Sequence, residues 1–209
     1  MRLRFDEARQ VLKLTHPRGV SRKTALGWAA KQRAWVSAQI GRAEPSEPFV
    51  SGAVIPVNGE DVRLCWSQQA SRTPRLQDGC LVAGGPEAGF ARRIEQFLKR
   101  LALDTLSSDT AEIAARASVR PAAVGVGDAE TRWGSCSSAR RIRYSWRLIL
   151  APPEVRRYVV AHEVAHLEQL NHGPQFKALE RELFGGDVVA AQRLLRLLGP
   201  RLKRIGRRA

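Results

Sequence analysis

The sequence predicts an α+β protein, and three observations carry that prediction. Residues 1–84 hold short apolar runs separated by turn residues, with Asn58-Gly59 between two of them, the strongest short-range signal for a β-hairpin. From Pro86 onward apolar residues recur at helical spacing, and one late helix carries His162, Glu163 and His166. Between the helical stretches, Ile142, Tyr144, Trp146 and Leu148 alternate with polar residues, the period of a strand.

Taken in order, Leu3 and Phe5, then Val11, Leu12 and Leu14, predict two strands around the polar stretch Asp6 to Gln10. His16, beside Pro17, reads as a solvated turn residue. Ser21 is a good N-cap, and Ala25, Trp28, Ala29, Trp35, Val36 and Ile40 predict one helix over 22–40. The prolines between Arg42 and Pro48 mark a loop. Strands are expected over 53–57 and 62–66, with a second hairpin at Asp78-Gly79. Residues 1–84 are therefore expected to form a β-rich N-terminal region with one helix.

Residues 85–199 read as a second domain. Phe90, Ile94, Phe97, Leu98 and Leu101 share one face of a helix that extends to about 117, with interruptions near Ser107-Ser108. Val124 and Val126 predict a short strand, expected to pair antiparallel with the 142–148 strand. The segment Thr131 to Ser138 between them reads as a polar turn. Pro152-Pro153-Glu154 starts a helix expected to run to about Leu170. Phe176, Leu179, Leu183 and Phe184 predict a short helix ended by Gly185-Gly186, and Val188 to Leu198 another. Gly199-Pro200 is expected to stop regular structure before a basic tail over 200–209.

The chain has 209 residues and a formal net charge of +15. No run approaches a membrane span and the first residues lack a secretory apolar core, so a cytoplasmic protein with no membrane association is expected. Cys65, Cys80 and Cys136 are odd in number and lack Cys-x-x-Cys spacing, which suggests free thiols. Only six of the 35 basic residues are Lys, so part of the charge is compositional. After Asp187, however, seven cations follow with no acid. That cluster makes nucleic acid or another polyanion a candidate partner. Nothing in the sequence speaks to oligomeric state.

The chemistry concentrates in Val159 to His172, which holds three of the four histidines. On a helix, His162 and His166 lie one turn apart on one face and can share a metal ion. Glu163, about 100° around the helix, flanks that ion and can act on a water. A short His/Glu pattern also arises by chance on surface helices. Here Val155, Val159, Val160, Val164 and Leu167 surround it, and buried metal-compatible groups need a reason. A third ligand is required for a tetrahedral site with one open position. His172 can supply it once Asn171, Gly173 and Pro174 break the helix, with Glu180 or Glu182 as rivals. Tyr158, one turn before His162, can donate to an oxyanion or simply pack. Arg132, Ser135 and Cys136 offer an anion contact or local capping, and Trp133 a core filler.

Three motifs then stand in order: Arg132-Trp133-Gly134-Ser135-Cys136, Tyr144-Ser145-Trp146-Arg147 running to Pro152-Pro153, and His162-Glu163-Val164-Ala165-His166 followed by Asn171-His172. Over about 120–185 this resembles the YgjP-like metallopeptidase family of bacterial zincin-type proteins. The resemblance implies a zincin-like core, zinc ligands at His162, His166 and His172, and a catalytic Glu163. Ser145, Gly173 and Lys177 depart from the family's usual residues without touching a proposed ligand. Gln169 stands where metzincins carry Gly.

The expected function is zinc-dependent hydrolysis of a peptide or protein substrate, with Glu163 as general base. Two alternatives stand beside it: metal-dependent hydrolysis of a nucleotide or other phosphate ester, and a basic nucleic-acid-associated protein with a structural metal site. A structural zinc is normally closed by four protein ligands, and the sequence offers no Cys pair to close this one.

Overall fold

The protein is described from a computed structural model, covering residues 1–6, 11–42, 45–129 and 131–207. The polar stretch expected between the first two strands lies largely outside those residues. Contacts divide the chain into residues 1–48 with 204–209, and residues 49–203. The sequence-based boundary at 84 does not coincide with this division.

In the first unit, β1 (Arg2–Asp6) and β2 (Val11–Thr15) pair antiparallel, with Leu3 opposite Leu14. Ser21 caps α1 (Arg22–Ala30), its side chain accepting from the Thr24 amide at 3.1 Å. The expected single helix is two, because Lys31 and Gln32 bond back only three residues, to Trp28 and Ala29. That tightened turn ends α1, and α2 (Arg33–Arg42) starts afresh. Here also Ile205, fully buried, bridges to Glu47.

The second unit holds most of the apolar core. β3 (Val54–Val57) and β4 (Glu60–Trp66) form the predicted hairpin, with Asn58 and Gly59 at positive φ of 52° and 84°. β5 (Arg75–Gln77) and β6 (Cys80–Ala83) form the second, and β6 joins β4 in parallel, giving the order β3-β4-β6-β5. α3 (Phe90–Arg116) is continuous through Ser107-Ser108. Its buried face, Leu98, Ala102, Leu106, Thr110 and Ile113, keeps the helical period, and the Thr110 hydroxyl donates to the Leu106 carbonyl.

A three-stranded sheet follows: β7 (Ala123–Gly127), β8 (Gly134–Cys136) and β9 (Arg141–Ser145), in the order β7-β9-β8. The expected antiparallel pairing of the 124–126 and 142–148 segments is corrected, since β7 and β9 run parallel, Val126 opposite Tyr144. The segment read as a polar turn contains β8, which folds back antiparallel on β9 and leaves only β9's other edge for β7. The 142–148 strand also stops at Ser145. Trp146 to Leu150 form a wholly buried 3-10 turn, and a run buried on every side has no solvent face to alternate with.

α4 (Pro153–Ala165) begins at the predicted prolines but ends five residues before Leu170. The amides of Leu167 and Glu168 bond back three residues to Val164 and Ala165, which tightens the last turn. α5 (Pro174–Phe184) ends at Gly185 in the left-handed conformation, φ 68°. α6 (Val188–Arg204) runs through Gly199-Pro200 and corrects the expected stop. Leu202 is buried, its carbonyl accepts from Arg147 at 2.9 Å, and Gly199 lies against Trp133. These contacts outweigh the cost of proline inside a helix. Much of the predicted basic tail is thus helical, and Arg204 is buried.

The described residues form a mixed α/β architecture of six helices and three small sheets. No described helix is long and apolar enough to cross a membrane.

Candidate active site

Val155, Val159, Val160, Ala161, Val164 and Ala165 are buried on α4, and together they fix its rotation. Ion pairs fix its position. Buried Arg156 bonds Asp109 of α3 at 2.7 Å and the Asn58 side chain in the β3–β4 turn, while Arg157 bonds Glu112 of α3 at 2.6 Å. His162 and the cap residue His166 stay half-buried, one turn apart, while Glu163 is buried beside them.

The early end of α4 brings His172 back without a long detour. His162, His166 and His172 each offer a ring nitrogen, all within 4.8 Å of one another, an arrangement that could hold a metal ion. The Nε2 atoms of His162 and His172 are 3.4 Å apart. Buried Phe176 packs against all three rings, edge-on to His162 and His172 and tilted to His166, with centroid distances of 5.1, 4.7 and 4.6 Å.

The outer nitrogens are committed elsewhere. His162 Nδ1 donates to Glu180 Oε1 at 2.7 Å, and His166 Nδ1 to the Gln169 carbonyl at 3.0 Å. Carbonyls and carboxylates only accept, so both protons sit on Nδ1 and both Nε2 lone pairs point inward. Burial would raise the Glu180 carboxyl, but the His162 hydrogen bond and charge, with Tyr158, bring it below its ordinary value. Burial holds His166 below its usual value and so favours the neutral ring. Glu180 therefore lies on the far side of the His162 ring from the cluster, and Glu182 is exposed.

Glu163 is only 5% exposed, and its Oε2 has no hydrogen-bond partner in the fold. Burial pushes its carboxyl up to about 7, against the opposing charges of His162 and Arg132. Gly134 of β8 makes this position possible. A Cβ there would lie 2.6 Å from Glu163 Cγ and 2.7 Å from Cδ. The sequence reading passed over Gly134, and only its place inside the Trp-Gly-Ser turn hinted at it.

Other singled-out residues separate. Tyr158 is buried, accepts from Gln192 Nε2 at 2.9 Å and packs edge-on against Phe184, so it buttresses Glu180. Burial pushes its hydroxyl up to about 12. Trp133 lies under the Lys203 ammonium at 4.9 Å, and Ser137 caps the β8–β9 turn through Arg141. Cys136 is half-buried, its thiol raised by burial and by Glu163. All three cysteines are free, and His16 is exposed in its turn. Glu180 had a legible signal, because it follows Phe176 by four residues on the buried face of α5.

A histidine pair one turn apart on a helix, a glutamate between them and a third histidine on the returning chain, beside small sheets, are consistent with the zincin-like class of α+β proteins. The family described as YgjP-like, metallopeptidase domain, matches residues 1–196, and the chain belongs to it. The match takes in the N-terminal half, where the motifs are least distinctive. Comparisons with curated proteins and with solved structures give no match. Membership points to a metal-dependent peptidase.

Proposed function

We propose that the chain is a zinc-dependent peptidase, with His162, His166 and His172 as ligands and Glu163 as general base. The observation that carries this reading is the 3.4 Å separation of two inward Nε2 atoms. Two nitrogens about 2.05 Å from a tetrahedral zinc are about 3.3 Å apart, so the donors fit that ion. Three imidazoles and no fourth protein ligand among the described residues match the open coordination of a catalytic site. A bound zinc supplies Lewis acidity toward a carbonyl oxygen and toward water.

The rest falls to the chain's own residues. Glu163 takes a proton from the attacking water as its oxygen adds to the peptide carbonyl, and delivers that proton to the departing amine nitrogen. The products are one carboxyl and one amine group. Glu180 holds His162 in the required tautomer, and Phe176 sets the planes of the three rings.

The direct test is zinc content together with hydrolysis of an unfolded protein substrate. His172→Ala is expected to lose zinc, and undiminished zinc would remove His172 from the ligand set. Glu180→Gln is expected to weaken zinc binding by about 10- to 100-fold, the usual cost of losing an outer partner of a ligating histidine. Exposed Glu182→Gln is expected to leave it unchanged. Competition with a chromogenic chelator measures both, and equal affinities for the two variants would refute the role given to Glu180.

A further inference from the structure

A cavity of about 240 Å³ lies between the end of β7, residues 132–135 and β9, with Gly134 in its lining. Its lining includes Arg132 and Arg143, both exposed, and neither guanidinium makes a hydrogen bond or ion pair among the described residues. The one acid in the described lining, Asp128, is paired with buried Arg147 at 2.8 Å. Gly127 is shaped to Arg143, since a Cβ there would lie 2.6 Å from the guanidinium Nε and 2.8 Å from Nη2. In the floor, Ser145 is 1% exposed and its hydroxyl has no partner in the fold.

The geometry points to a specificity subsite for a carboxylate of the peptide substrate, held by Arg143 and Arg132 beside the reacting centre. It rests on the peptidase reading above. Guanidinium groups bind carboxylates through paired N–H donors, and here two of them line one recess, with no ion pair on either guanidinium among the described residues, although the Arg132 charge also acts on Glu163. The recess shares Gly134 with the Glu163 carboxyl, so a chain lying along β8 past Glu163 would bring a neighbouring residue to it. The carboxylate is either an acidic side chain flanking the scissile bond or the terminal carboxylate of a short peptide.

The test uses full-length, zinc-loaded Glu163→Gln protein, which is expected to bind without turnover, and three dye-labelled octapeptides read by fluorescence anisotropy. One has a central Glu and an amidated end, the second a central Gln and an amidated end, the third a central Gln and a free carboxyl end. A charge-assisted contact predicts about tenfold tighter binding of the first or third over the second, and which of them gains identifies the source of the carboxylate. Arg143→Gln is expected to abolish that gain and Arg143→Lys to restore only part, because an ammonium lacks the paired donors. Arg132→Gln provides an independent arm and is expected to reduce the gain. Equal binding of all three peptides, or a gain that survives both glutamine variants, overturns the subsite alone. Failure of every peptide to bind overturns the subsite and the peptidase reading together.

Discussion

Glu163→Gln is expected to keep zinc and fold but to lose at least about 10²-fold in turnover, the low end for removal of a general base. Gln is nearly isosteric and cannot accept a proton from water. The same substitution has an opposite effect on stability in the absence of metal. Burial raises the Glu163 carboxyl from 4.5 to about 7, so the folded state binds this proton more tightly than the unfolded state. Its contribution to stability is therefore complete below about pH 4.5 and is lost as pH rises to about 7. The loss is on the order of 3 kcal/mol, at about 1.4 kcal/mol per unit. His166, whose value is lowered, works in the other direction in both proteins and cancels in the comparison. Urea unfolding of chelator-treated protein at pH 5 and pH 8 is expected to show a fall for wild type that the variant lacks. Parallel behaviour would mean that Glu163 is not held in a desolvated site, and turnover within tenfold of wild type would mean that it is not the base.

Gly134→Ala is expected to cost a comparable factor although the residue carries no chemistry. Its Cβ would sit 2.6 Å from Glu163 Cγ, inside any real carbon–carbon contact. β8 cannot yield easily, because it is laddered to β9 with Gly134 opposite Tyr144, and the Ser145 amide bonds the Trp133 carbonyl at 2.7 Å. Glu163, buried, must move instead. A displacement of about 1 Å in a reacting group can cost about 10²-fold, while overpacking costs about 1–3 kcal/mol of stability. Zinc content is expected to be unchanged, since Gly134 does not touch the histidines. Combining Gly134→Ala with Glu163→Gln is expected to cost little more turnover than Glu163→Gln alone, because both act through one carboxylate. Additive losses would place the effect of Gly134 elsewhere.

The features legible in the sequence were those set by short-range rules. Two histidines four apart on an apolar helix share a face whatever surrounds them. Asn58-Gly59 and Asp78-Gly79 turn the chain because those residues tolerate positive φ, as found at all four positions. Periodicity placed Phe90, Ile94 and Leu98 on the buried face of α3, while Phe97 and Leu101 are half-buried. The resemblance, drawn from about 120–185, agrees with a family match that extends over 1–196.

Tertiary structure decided the rest, wherever a local rule left two outcomes of similar cost. Alternation in β7 and β9 announces strands but says nothing of their direction, which became parallel because β8 supplies the reversal of the chain between them. Proline at position 200 disfavours a helix locally, and buried Leu202 with its carbonyl held by Arg147 reversed that preference. A glutamate at 180 could have been a ligand, and only the fold turned it onto the outer nitrogen of His162. The need for glycine at 134 exists only because Glu163, 29 residues away in sequence, fills the space where a side chain would stand. Excluded volume between distant segments has no signature in the local pattern of either one.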